Sequence, residues 1–431
     1  MCLKSPKVRN FTEHHSQLLW ELIMKCRFCG KELNEVFLDL VNAPPSNAYL
    51  REDQLNEPEK YYPLKIMVCD NCRLVQVDEY ASSLDIFDND YLYFSSYSTS
   101  WVEHARQYVE MITQRLRLSD KSNVMEIASN DGYLLQFFVK KGIPCIGVEP
   151  STSTIPVAAE KGVESIPVFF GSQSASDIVG KRGKFDLIIG NNVLAHVPNI
   201  NDFADGLNIA LADNGTITME FPHLLNLIKQ TQFDTIYHEH YSYLSLTLVK
   251  SLFHAHGLRI YDVEKLSTHG GSLRIYACHD SSEYVTKSSV NEVISEESEF
   301  EISSYDVYKQ FQNRVECIRD DFLEFLLKAR KDGKTVAGYG AAAKGNTLIN
   351  YCGIKGTGLI KAVADASPYK QGRYLPGSHI PIVSPDEIKQ LKPDYLIIIP
   401  WNIKDEIIAQ NSFIREWGGK FVIVIPKLEV F

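Results

Sequence analysis

The chain has 431 residues, 45% of them hydrophobic, and carries a formal net charge of −10. Domain sizes of roughly 100–200 residues predict about two to four domains. The acidic balance argues against nucleic-acid binding, because contacts with the phosphate backbone need clustered Lys and Arg. Since no apolar run reaches the roughly 18 residues of a membrane span and no secretory signal pattern is present, we expect a cytoplasmic protein with no membrane partner.

The first motif along the chain consists of two CxxC pairs, Cys26 with Cys29 and Cys69 with Cys72. Four thiolates at such spacing bind Zn²⁺ tetrahedrally, each pair lying on a turn of the backbone. Two unrelated redox or core pairs are the alternative. Because four cysteines leave no open coordination position, we expect a structural zinc ion that takes no part in catalysis.

Two successions of apolar strands and helices follow the cysteine motif. Together they predict an α/β fold: a small N-terminal zinc module (24–86), a central Rossmann-like domain (87–265) and a second, C-terminal Rossmann-like domain (266–431). We expect the central strands at Val124–Ala128, Cys145–Val148, Phe185–Ile189 and Thr216–Glu220. Those of the last domain are expected at Val336–Tyr339, Ala362–Ala364, Tyr395–Ile399 and Phe421–Ile425.

The first central strand leads into Glu126-Ile127-Ala128-Ser129-Asn130-Asp131-Gly132, which lacks the GxGxxG spacing of a dinucleotide site. S-adenosylmethionine carries no phosphate, so its site tolerates Ser and Asn here. The next strand ends at Glu149, whose carboxylate could accept both ribose hydroxyls. The residues expected to bind this cofactor are Glu126, Asn130, Gly132, Glu149, Phe170, Asn191 and Asn192.

His, Glu and Tyr crowd the segment after the fourth central strand, which reads Tyr237-His238-Glu239-His240. Carbon methylation requires a base beside a carbonyl and donors for the enolate oxygen, and these side chains supply both. His196, which follows the third central strand, could face the same cavity. An HExxH zinc helix is excluded, because His238 and His240 are two positions apart. The aromatic segment 90–98 could be a lid or a packing hinge.

The C-terminal domain contains a second glycine-rich turn, Gly338-Tyr339-Gly340-Ala341-Ala342-Ala343-Lys344-Gly345-Asn346. A helix N-terminus with a lysine could hold a diphosphate, so Tyr339, Lys344 and Asn346 are candidate substrate-binding residues. As a fingerprint for NAD the turn is poor, with Asp365 as the one candidate ribose acid. A nucleotide-sugar contact is favoured over a second cofactor.

From Cys26 onward the chain resembles the three-domain sugar C-methyltransferases, which methylate carbon 3 of thymidine-diphosphate-linked 4-keto-deoxysugars. The motifs that carry the resemblance are CxxC…CxxC, YxYFSSYS, EIASNDGYLL, GVEPS, NNVLAHVPN, EFPHLL, YHEHYSYLS, HGGSLRIY and GYGAAAKGNTLINY. The resemblance implies a catalytic set of Tyr237, Glu239 and His240, with His196 nearby and Tyr91 from the aromatic segment. Whether Tyr237 or His240 takes the proton is left open.

The expected function is therefore methyl transfer from S-adenosylmethionine to the enolate carbon of a nucleotide-diphosphate sugar. Two other functions compete with it: an NAD-dependent sugar-nucleotide oxidoreductase or epimerase that uses the second glycine turn, and a zinc-ribbon adaptor whose Rossmann domains no longer catalyse. The sequence does not determine an oligomeric state.

Overall fold

The computed structural model describes residues 24–80 and 94–431. The predicted boundary at 86/87 and the candidate residue Tyr91 lie outside these ranges. The N-terminal module contains three antiparallel strands, namely β1 (Glu35–Ala43), β2 (Tyr62–Val68) and β3 (Val75–Val77). Its sheet is completed by a fourth strand from the middle of the chain, β9 (Ser242–Tyr243), which pairs with β3.

The central domain is built on a seven-stranded sheet with helices between its strands. The remaining strands of this part of the chain are β4 (Val124–Ile127), β5 (Cys145–Val148), β6 (Ser165–Ile166), β7 (Phe185–Asn191), β8 (Leu211–Pro222), β10 (Leu258–Leu266) and β11 (Ser272–His279). The helices are α1 (Thr99–Leu116), α2 (Leu135–Lys140), α3 (Ile155–Glu160), α4 (Ser172–Arg182), α5 (Ile200–Ala210), α6 (Leu224–Lys229) and α7 (Leu246–Ala255).

The strand order of the central sheet is β10-β11-β8-β7-β4-β5-β6, and β4 to β8 are parallel to one another. Chain order therefore reverses at β4, between β5 on one side and β7 on the other. In open sheets of this kind, ligands bind at the carboxyl ends of the strands beside such a reversal. The topology places the expected cofactor loop, which follows β4, at this position.

The C-terminal domain contains a six-stranded sheet in the order β14-β13-β12-β15-β16-β17. Its strands are β12 (Val336–Tyr339), β13 (Val363–Ala364), β14 (Ile382–Val383), β15 (Tyr395–Ile398), β16 (Lys420–Ile423) and β17 (Glu429–Val430). The helices before and within it are α8 (Ser288–Glu299), α9 (Asp306–Lys309), α10 (Phe311–Lys331), α11 (Ala343–Tyr351), α12 (Pro385–Leu391) and α13 (Lys404–Gln410). Chain order reverses here at β12.

The structure departs from the sequence-based expectation between residues 258 and 304. The pair β10 and β11 extends the central sheet, although β11 lies beyond the expected boundary at 265/266. The stretch 281–304, which is rich in Ser and Glu, contains α8. Buried Glu297 anchors α8 to the central domain, because its carboxylate accepts hydrogen bonds from the first backbone amides of α7 and contacts His223 at 2.7 Å.

Within the described residues, no helix combines the length and apolarity that a membrane crossing needs.

Candidate active site

The four motif cysteines converge on one point. Their Sγ atoms all lie within 4.8 Å of one another, and the two closest pairs, Cys26 with Cys72 and Cys29 with Cys69, are 3.5 Å apart. Zn–S bonds of about 2.3 Å in a tetrahedron imply S···S distances of roughly 3.8 Å, so the cluster has the dimensions of a zinc site. Each CxxC pair lies on a turn of the backbone, and Gly30, which follows the first pair, has a positive φ of 72°.

The first cysteine turn is attached directly to the central domain. The Arg27 guanidinium donates to the carbonyl oxygens of Pro198, at 3.0 Å, and Val77. In return, the Asn201 amide donates to the carbonyls of Arg27 and Phe28, both at 3.0 Å. The metal-binding turn therefore supports the loop that carries His196 a few residues away.

The Glu149 carboxylate faces the loop after β4, as expected. The backbone amide of Asn130 donates to its Oε2 at 2.8 Å, and that of Ser151 donates to its Oε1 at 2.7 Å. Each oxygen keeps another lone pair, so the group can still accept two hydroxyl donors. Burial raises the pKa of Glu149, and the two backbone donors oppose this shift.

The loop after β4 has the unusual backbone of a binding turn. Asn130 has φ 49° and Gly132 has φ 73°, and a Cβ at Gly132 would lie 3.2 Å from Ala158 in α3. A glycine is therefore required both for the turn and for packing against the helix. Glu126 lies beneath the loop with 1% of its surface exposed. Burial raises the pKa of Glu126 well above its ordinary value, and the negative charge of Glu149 raises it further.

Three further expected cofactor residues lie near the same sheet edge or on its flank. Asn191 ends β7 and Asn192 follows it, and their side-chain amide oxygens are buried without a hydrogen-bond partner in the described part of the chain. Buried amide oxygens left in this way are the groups that a polar ligand would satisfy. The Phe170 ring packs edge-on against Phe203, with centroids 5.4 Å apart, and is half-buried.

The described end of the aromatic segment lies over this loop. The Ser95 amide donates to Asn130 Oδ1 at 2.9 Å, and the Ser96 amide to Asp131 Oδ2 at 3.3 Å. On the other side, Phe94 stacks on Tyr369 of the C-terminal domain with a centroid distance of 5.5 Å. Residues 94–96 thus contact both Rossmann-like domains beside the expected cofactor position.

Tyr237 and His240 form a hydrogen-bonded pair. The Tyr237 hydroxyl lies 2.8 Å from His240 Nε2, and His240 Nδ1 lies 2.7 Å from the Thr235 carbonyl oxygen. A carbonyl only accepts, so Nδ1 carries the proton and Nε2 accepts from the tyrosine. Burial lowers the pKa of His240 well below its ordinary value, assisted by His196 and Lys344, so the imidazole is neutral at pH 7.

Two further members of the expected catalytic set adjoin this pair. The His196 ring meets that of His240 edge-on, with centroids 4.6 Å apart, and hydrogen-bonds to the backbone of Glu239. Burial lowers the pKa of His196 to about 4. Glu239 is 3% exposed, and its two carboxylate oxygens lie 2.7 and 2.8 Å from the amide nitrogen of Asn47. Four titratable groups thus lie together, with Glu239 buried and the other three half-buried.

Of the three candidate substrate-binding residues in the C-terminal glycine turn, Lys344 is the one that lies near this site. Lys344 lies 5.3 Å above the Trp401 ring and close enough to His240 to affect its pKa. Asn346 donates instead to the Ser46 carbonyl of the zinc module. Tyr339 is 8% exposed and packs in the domain core, so the structure gives it no place beside Lys344.

The position expected for a second ribose acid is engaged within the protein. Lys370 Nζ lies 3.7 Å from Asp365 Oδ2 and donates to the Ala341 carbonyl at 2.8 Å. A Cβ at Gly340 would lie 2.5 Å from Pro400, so the turn is covered by the chain itself. These contacts do not favour a dinucleotide at this turn.

Sequence reasoning missed two buried residues near Lys344. His269 has a left-handed backbone with φ 54°, and its ring meets Trp101 edge-on at 5.2 Å. Burial lowers the pKa of His269 to about 4, and the charge of Lys344 adds to the effect. Asp234 is 2% exposed and accepts a 2.8 Å hydrogen bond from Trp401. The HGGS motif was a signal for His269, whereas Asp234 has no distinctive sequence context.

A cavity of about 440 Å³ lies between the central and C-terminal domains next to these residues. Its lining includes Asn226, Gly270 and Gly271 from one side and Trp401, Asn402 and Lys404 from the other. Amides, an aromatic ring and a lysine are the groups that bind a polar molecule with an aromatic base.

Three family models cover almost all of the chain from Cys26 onward. A zinc-binding domain matches residues 26–87, a methyltransferase domain 101–263 and a C-methyltransferase C-terminal domain 267–426. The chain is 35% identical over 411 residues to C-methyltransferase NovU of Streptomyces niveus, covering 95% of this chain and 97% of that protein.

Solved structures match about two fifths of the chain at low identity. A SAM-dependent methyltransferase from Anabaena variabilis is 13% identical over 41% of this chain and 84% of its own, with a TM-score of 0.33. Magnesium protoporphyrin IX methyltransferase from Synechocystis, solved with bound SAM, is 15% identical over 42% and 82%, with a TM-score of 0.32. The family models and the full-length relative carry the assignment: the chain belongs to the C-methyltransferase family and is a SAM-dependent C-methyltransferase with an N-terminal zinc-binding domain.

Proposed function

We propose that the enzyme methylates the carbon next to the ketone of a nucleotide-linked 4-keto-deoxysugar, with thymidine diphosphate as the nucleotide. The observation that carries the proposal is the hydrogen bond between Tyr237 and neutral His240, both of which are half-buried. Such a pair can accept a proton from a weak carbon acid. The name of the full-length relative, a C-methyltransferase, supports transfer to carbon.

In the proposed reaction, the Tyr237 oxygen removes the carbon-bound proton while its own hydroxyl proton passes to His240 Nε2. The bond electrons move to the ketone oxygen and form an enolate. His196 and the positive charge of Lys344 lie beside the pair and favour that negative charge. S-adenosylmethionine, when bound, supplies the electrophilic methyl group that the enolate carbon attacks.

The residues around the loop after β4 would hold the cofactor. Glu149 would accept the ribose hydroxyls, and Asn191 and Asn192 present buried amide groups at the same sheet edge. Phe170 remains a candidate for the adenine. Lys344, with the lining of the cavity between the two domains, would hold the diphosphate and the base.

The cofactor site can be tested with Glu149→Gln. Glutamine has the same shape but lacks the charge, and its NH₂ group would face the amide of Asn130 or Ser151. We expect S-adenosylhomocysteine to bind roughly 100-fold more weakly, because two charge-assisted hydrogen bonds are lost. Titration calorimetry measures the effect, with the exposed Glu164→Gln as a control. If both variants bound S-adenosylhomocysteine with equal affinity, Glu149 would not be a cofactor ligand.

The substrate can be tested with S-adenosylmethionine labelled in its methyl carbon and a panel of nucleotide-linked sugars. We expect labelled product only from 4-keto-deoxysugars, with the label on carbon. In D₂O without cofactor, the adjacent proton should exchange if the Tyr237–His240 pair forms the enolate. Label on oxygen, or turnover of sugars without a ketone, would contradict the proposal.

A further inference from the structure

The loop between β1 and β2 of the zinc-binding domain reaches the catalytic segment. Asn47 lies at its centre and donates its amide to Glu239, at 2.7 and 2.8 Å from the two carboxylate oxygens. On either side of it, Ser46 accepts from Asn346, and the Tyr49 hydroxyl donates to the Ala341 carbonyl at 2.7 Å. The loop is therefore fixed between the Tyr237–His240 segment and the C-terminal glycine turn.

Glu239 links this loop to the reacting groups. It precedes His240 directly, in a turn closed by a 3.0 Å bond from the His240 amide to the Tyr237 carbonyl. Its own backbone bonds to the ring of His196. A change in the position or charge of Glu239 therefore reaches Tyr237, His240 and His196 over one or two residues.

We propose that Asn47 is a positioning residue for the methyl transfer: its amide holds the Glu239 carboxylate in the charged form and thereby fixes the turn that carries Tyr237 and His240. The zinc-binding domain then contributes directly to the active site. This inference rests on the proposed function, in which Tyr237 and His240, on the same turn as Glu239, form the enolate.

The Asn47 amide opposes the effect of burial on the pKa of Glu239. Burial raises the pKa of Glu239 to about 7, and the Asn47 hydrogen bond opposes the shift. The other titratable groups that face this region are Tyr49, with Lys370 packed 5.2 Å above its ring, and His196, which contacts the backbone of Glu239. Loss of the amide therefore raises the pKa of Glu239 further, so the carboxylate is lost at a higher pH.

The test compares Asn47→Ala with Tyr49→Phe. The second variant loosens the same loop, because it removes the bond to Ala341 and the 3.4 Å contact with Asn47 Oδ1, yet it leaves the Asn47 amide nitrogen and its bond to Glu239 in place. Asn47→Asp serves as an isosteric second variant in case the alanine protein does not fold. Carbon-13 NMR of carboxyl-labelled glutamate follows the titration, with Glu239 identified by its missing signal in Glu239→Gln. The pH profile of kcat is measured in parallel.

In Asn47→Ala, we expect the titration midpoint of Glu239 and the acid limb of kcat to rise by about one pH unit. That shift lowers kcat roughly fivefold at pH 7 and leaves it nearly normal at pH 9. Asn47→Asp should shift both further, and Tyr49→Phe should shift neither.

An unchanged midpoint in Asn47→Ala and Asn47→Asp, or an equal shift in Tyr49→Phe, would overturn the inference. Glu239→Gln separates it from the proposed function. If that variant turns over normally, the charge of Glu239 does not affect the reaction and the inference fails, while the proposed function, which depends on Tyr237 and His240, still stands.

Discussion

Replacing His240 by alanine should lower kcat for methyl transfer roughly 1,000-fold, within the range found for the removal of a general base. His240 Nε2 is the atom that accepts the Tyr237 proton, and the variant removes this acceptor. Binding of S-adenosylhomocysteine should stay within about twofold, because the cofactor residues lie at the ends of β4, β5 and β7. Steady-state kinetics and calorimetry measure both quantities.

The matched control for this experiment is His254→Ala. His254 is exposed on α7, and its Nδ1 lies 3.4 Å from the Asp280 carboxylate. Tyr237→Phe completes the set, since it retains the imidazole but removes the hydroxyl. If His240→Ala turns over at the normal rate, the base assignment is wrong. If Tyr237→Phe alone retains activity, His240 takes the proton directly.

Replacing Cys69 by serine should release the zinc ion and disable the enzyme, although no cysteine of the cluster touches Tyr237 or His240. Structural zinc contributes about 10–16 kcal/mol to the folding of small zinc peptides. We therefore expect the module to unfold at a much lower temperature in the variant than in the unmodified protein. Because β3 pairs with β9 directly after His240, the disturbance reaches the catalytic turn. We expect roughly 100-fold loss of activity from the displaced groups.

Zinc content by mass spectrometry, thermal unfolding and kinetics together check this prediction. Cys317→Ser is the control, because Cys317 is an exposed free thiol outside the cluster. A Cys69→Ser protein that retains stoichiometric zinc would show that the cluster is not the metal site. One that loses zinc and keeps full activity would show that the module does not support the site.

Local patterns were sufficient to predict much of the fold. The strand Cys145–Val148 and the strand Val336–Tyr339 have the predicted bounds, because short apolar runs bounded by turns are typical of buried parallel strands. The four cysteines were also recognisable, since their spacing alone defines a metal site. The loop after β4 could be located because its residues follow an apolar strand directly.

Features that depend on distant parts of the chain could not be predicted in this way. A two-residue strand such as Ser242–Tyr243 has no periodicity, and only its pairing with β3 makes it a strand. Asn47 lies 192 positions from Glu239, so no local pattern connects them. Tyr339 was selected from a motif, but the alternation of side chains along β12 directs it into the core.

The pairing of β3 with β9 also determines how the protein can assemble during synthesis. The ribosome must release the chain beyond Tyr243 before the zinc-binding sheet can close, so most of the methyltransferase domain is made while the amino-terminal region is still incomplete. For the same reason, truncation between residues 80 and 94 would leave a sheet with an open edge. The zinc-binding domain and the central domain therefore have to be kept together in one chain for the first sheet to be complete.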